Sequence, residues 1–114
     1  MITIQVDEGY AYDYLSILNV KYRKNLNNAA SSFNDCFNHI SSQVGLELHD
    51  KIFNSNQYKE LYLSNLDTFS AVEKARYGQI LAKEVDDLNM RRYNCKVKLQ
   101  KTFFPKEKIS ETKT

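Results

Sequence analysis

The chain has no tryptophan, a single proline, three glycines and two cysteines among its 114 residues. Each scarcity excludes something. All-β folds need many tight turns, which draw on glycine and proline, so their shortage favours helices. Cys36 and Cys95 are too few for a disulfide-built scaffold, and the expectation is two thiols packed as small apolar groups in a reducing compartment. No apolar run approaches the length of a membrane span, and no apolar signal-peptide core accompanies Asp7 and Glu8, so the sequence predicts a cytoplasmic protein without a membrane partner. No glycine-rich phosphate loop exists. The net charge of +2 is too small to argue for nucleic acid by itself.

What is present is ordinary for a globular protein: 42% hydrophobic and 26% charged residues, in a length suited to one domain. Residues 1–104 are expected to form a single helical domain and residues 105–114 a disordered charged tail. Asn, Lys and Tyr are abundant, a bias that suggests an AT-rich genome.

Residues 2–6, ITIQV, alternate with period two, placing Ile2, Ile4 and Val6 on one side, which predicts a short strand. A lone strand leaves its backbone groups unpaired. It is expected either to pair with its copy in another chain or to lie across helices. A helix is predicted from about Tyr10, with Ala11, Leu15, Leu18 and Tyr22 on its stripe and Tyr14 and Ile17 broadening it. NLNN at 25–28 loosens the chain. Ala30, Phe33, Phe37, Ile40 and Val44 then form a second amphipathic stripe, which Gly45 is placed to end. LELHDKIF reads as a short helical turn or two, and Ser55 or Asn56 can cap the next helix. That helix carries Tyr58, Leu61, Phe69 and Val72, and Gly78 marks a kink or a break. The last, from Gln79, carries Leu81, Val85, Leu88, Cys95 and Leu99, and Pro105 terminates it. The predicted fold class is all-α: an antiparallel bundle of three to four helices with a short N-terminal β-strand.

Polar residues interrupt these stripes. Arg92 stands on the last stripe, with Asn89 and Lys96 flanking it on nearly the same side. Asn65 and Arg76 stand on the preceding stripe, and Asp13 and Lys21 lie near Ile17 and Val20. Buried charges and amides must be paired. One reading pairs them with each other, Asp13 taking Arg92 or Arg76 in a bidentate contact that fixes helix register. Another gathers Arg76, Arg92, Lys96, Lys21, Asn65 and Asn89 into an electropositive cleft for an anionic small molecule, since Arg and Asn suit phosphate or carboxylate. A third lets the long side chains snorkel to solvent.

The stretches DYLSILNVK (13–21), YKELYLSNLDTFSAVEKAR (58–76) and Asn89, Arg92 and Lys96 resemble, in that order, a family of small proteins of bacteria and tailed phages, a domain of unknown function. The resemblance spans roughly residues 2–100. It marks Asn65, Phe69, Glu73 and Arg76 in the middle of the chain, largely the same intruders. The family usually has Lys where Tyr14 stands, so a ligand role of that Lys would be altered here. The Phe103–Phe104 end is closer to phage members, for which the location would be the host cytoplasm.

Other constellations carry less. His39 and His49 lack partners at metal-ligand spacing and read as exposed polar residues, so no metal and no other cofactor is expected. His39 lies three residues from Cys36 on one helix, a spacing that reads as packing rather than nucleophilic catalysis. Asp86 and Asp87 diverge by about 100° and read as a solvated face. From Arg91 to Lys108 seven cations face Glu107 alone, and with Tyr93, Phe103 and Phe104 they make the weaker nucleic-acid candidate. The leading expectation is a non-enzymatic module, a homodimer or a binder of another protein, since Tyr and Phe are common in interface cores. A small-anion protein built on Arg76, Arg92, Lys96, Asn65 and Asn89 is the alternative.

Overall fold

The computed structural model describes residues 2, 4–26, 28–78 and 81–107. They form five helices: α1 (Glu8–Arg23), α2 (Ala29–Val44), α3 (Leu46–Phe53), α4 (Asn56–Arg76) and α5 (Ala82–Phe103). Local chemistry sets their ends. Asp7 caps α1, its Oδ1 accepting from the Tyr10 amide at 2.7 Å. Ser55 does the same for α4, accepting from the Tyr58 amide at 3.1 Å. The Gly45 amide closes α2 by donating to the Ser41 carbonyl at 2.9 Å. Gly78 sits at φ +69° just past α4, a left-handed conformation that glycine adopts at helix ends, so the chain breaks there rather than kinks.

α4 and α5 make the most extensive helix pair, and α1 packs on α2, α4 and α5. Asp67 pairs with Arg91 and Glu60 with Lys98, so α4 and α5 run in opposite directions. α2 and α3 cover one side with rings. The core gathers Tyr12, Leu15, Ile40, Ile52, Tyr58, Leu61 and Leu99, with Phe33, Phe37 and Phe53 packed against it.

The structure corrects several expectations. No strand forms among the described residues of the N-terminal segment, because a strand needs a second one to complete its ladder. Ile2 and Ile4 are instead 90% and 71% exposed. On α4 the buried face is Ser64, Asn65, Thr68 and Ala71, whereas Phe69 is half-buried and Val72 and Arg76 are exposed. Small side chains on the inner face allow close approach of a neighbouring helix. Tyr22, Ala30 and Leu81 are exposed, while Tyr12 and Ala29 take the inner positions. Leu81 precedes α5, and Gln79 and Ile80 lie outside the described residues, as does the tail from Lys108. Cys36 and Cys95 are free thiols, both half-buried against the core.

Candidate functional site

Asp13 lies on the inner face of α1, its side chain only 3% exposed. A carboxylate taken out of water needs counter-charge and donors. α5 supplies both. Arg92 forks onto it, Nε 3.1 Å from Oδ1 and Nη2 2.7 Å from Oδ2. Lys96, with 8% of its side chain exposed, places Nζ 3.7 Å from Oδ2. The same ammonium lies 5.5 Å from the centre of the Tyr10 ring, which presents it a negative face. α4 contributes Asn65, whose Nδ2 donates to Asp13 Oδ1 at 2.8 Å and to Ser16 Oγ at 2.6 Å. Ser16 in turn donates to the Asp13 carbonyl at 2.8 Å. Three helices are thus tied at one carboxylate.

Four of the seven expected site residues, Asp13, Asn65, Arg92 and Lys96, are brought together in this way. The other three are not. Lys21 is exposed in the last turn of α1, and Asn89 is exposed one turn before Arg92. Arg76 lies three turns along α4 from Asn65 on the same helix face, but it is exposed and takes no part in the junction. It does meet Arg92 and Asn65 in another sense: all three line a cleft of about 220 Å³ between α1, α4 and α5. Ile17, Thr68, Phe69, Val72 and Glu73 complete its walls.

A second polar cluster escaped the sequence reading. His49 is fully buried, a correction of its expected exposure. It stands three and four residues before Ile52 and Phe53, so it shares the inward face of α3, a spacing that could have placed it. Its ring centre lies 4.3 Å from that of Phe37 and stacks on Tyr12 at 5.7 Å. The Tyr12 hydroxyl is 2.8 Å from His49 Nδ1. Burial pushes the Tyr12 phenol far above its usual range, and Tyr58 adds to this, so the hydroxyl keeps its proton and donates. The imidazole proton then belongs on Nε2, which finds no hydrogen-bond partner among the described residues. Burial lowers the His49 pKa, partly opposed by Asp50. Tyr58 receives a bond from Asn19 Nδ2 at 3.1 Å.

A third junction ties the start of α1 to the last turn of α5. Gln100 Oε1 accepts from the Gly9 amide at 2.6 Å, and its Nε2 donates to Glu8 Oε1 at 2.8 Å. A Cβ on Gly9 would stand 2.9 Å from the Lys96 carbonyl oxygen, so only glycine permits this approach.

Burial pushes both thiols up; for Cys95 the Glu60 carboxylate adds to it. A raised thiol is a poor nucleophile, and His39 beside Cys36 is exposed. No group of three His, Cys, Asp or Glu that could hold a metal occurs among the described residues. No described helix is long and apolar enough to cross a membrane. Part of the basic charge of α5 is spent on Asp67, Glu60 and Asp13, and Phe103 and Phe104 pack against the core. No family model, no curated protein and no solved structure matches the chain.

Proposed function

We propose that the protein is a non-enzymatic helical module, an antiparallel bundle that assembles with a second copy of itself. The observation that carries this reading is the apolar N-terminal segment left in water. Ile2, Ile4 and Val6 are exposed, and Tyr10 and Tyr14 extend the apolar surface along α1. Covering a side chain of this kind is worth about 1.5–3 kcal/mol. Asp7 anchors the segment to the helix that follows, so its position is defined at one end. Apolar side chains that alternate along the sequence suit pairing with an identical segment across a two-fold axis. Membership of the bacterial and tailed-phage family that the motifs resemble, and a cytoplasmic location, belong to the same reading.

Light scattering across micromolar concentrations tests it. A mass of two chains is expected for the wild type, and one chain for Ile4→Glu, whose exposed position leaves the helices undisturbed. A wild type that stays monomeric, with no partner co-purifying, rejects the proposal.

A further inference from the structure

We infer that the cleft between α1, α4 and α5 binds a small monocarboxylate with an apolar body, such as an aryl or short alkyl acid. Its walls give the chemistry. Ile17, Phe69 and Val72 supply apolar surface across the middle. Arg92 also lines the cleft, but its guanidinium is already forked onto Asp13, so it serves as a polar wall. Arg76 stands in the same lining and makes no ion pair with any described residue. It is the cation left to meet an anion. Lys24, whose ammonium lies 5.2 Å from the centre of the Phe69 ring, adds positive potential on that side.

Glu73 shares the lining with Arg76. Its negative charge lowers the positive charge of the lining and repels a dianionic phosphate about twice as strongly as a single carboxylate, which one guanidinium can match. The space of about 220 Å³ exceeds the roughly 150 Å³ that an apolar cavity needs to hold benzene. A ring with a short acid arm therefore fits. This inference is independent of self-assembly, which is read from mass rather than from ligand response.

Titration of the full chain with 3-phenylpropionate, followed by NMR, tests it. 3-Phenylpropanol and inorganic phosphate serve as comparison ligands. The acid is expected to shift the signals of Ile17, Phe69 and Val72 saturably at millimolar concentration. The alcohol should bind about fivefold more weakly, the scale of one exposed ion pair. Phosphate should leave those signals unmoved. Arg76→Gln should abolish the preference of acid over alcohol, and Arg76→Lys should restore part of it. Arg76 is exposed, so neither variant threatens the fold. Absence of saturable shifts, shifts confined to other residues, an equal response to phosphate, or an acid preference that survives Arg76→Gln would each overturn the assignment.

Discussion

Arg92 of α5 and Asp13 of α1 meet edge to edge, two nitrogens against two oxygens, across 79 residues of sequence. Lys96 stands by the same carboxylate, so Asp13 faces two cations. The partners are not equivalent. Asp13 is buried, whereas 30% of the Arg92 side chain reaches solvent.

That asymmetry predicts unequal mutational costs. Asp13→Ala removes the buried carboxylate on which Arg92, Lys96 and Asn65 converge and should cost about 3–5 kcal/mol. Arg92→Leu leaves Asp13 with Lys96 and Asn65, and should cost less, about 1.5–3 kcal/mol. Urea unfolding of the two variants against wild type decides this, and equal costs would argue against the shared-carboxylate geometry.

His49 gives a pH dependence of defined sign. Its folded pKa lies below the unfolded value near 6.5, so the fold favours the neutral ring. The stability this contributes is complete above about pH 6.5 and is lost as pH falls toward and through the folded pKa. Protonation would also break the acceptor role of Nδ1 toward Tyr12. Wild type should therefore lose stability as pH falls below about 6.5. His49→Phe should flatten that limb, and His39→Gln should not. Denaturation midpoints across the window provide the check.

Gly9 tests the close crossing of α1 over α5. Gly9→Ala places a methyl 2.9 Å from a backbone oxygen, which cannot swing away as a side chain would. A loss of about 1–3 kcal/mol is expected. The same alanine in an open helix would stabilise, so even the sign of the change, read from thermal melting, is informative.

The thiols offer a fourth measurement. Cys36 and Cys95 are half-buried with raised pKa values. Both should react with a disulfide reagent at pH 8 several-fold more slowly than a free peptide thiol, and as fast as one in denaturant. Rapid labelling of either in the folded state would contradict their packing.

Much of this architecture was legible in the residues. The stripe from Phe33 to Val44 and the glycine after it delimit α2, because both act locally. Asp13 and Arg92 were matched because each broke an apolar stripe and a buried charge needs its opposite. The inner face of α4 was not legible. The larger Phe69 and Val72 make the stronger apolar signal, but close packing selected Ser64, Thr68 and Ala71. His49 was misread because a polar side chain predicts exposure until its neighbours, Tyr12 and the phenylalanine rings, are known. The strand at 2–6 depended on a partner that the described chain does not contain. Gln100 gave no signal, since a lone amide on a charged helix becomes a cap only when Gly9 arrives beside it.

The bond between Gly9 and Gln100 bears on how the protein is made. During synthesis the first helix leaves the ribosome long before the residues that secure it. Glu8, Gly9 and Asp13 must wait for positions 92 to 100 before their partners exist. Completion of this fold is therefore postponed until positions 92 to 100 have been made, and a nascent chain arrested before Arg92 should remain open to proteases along α1.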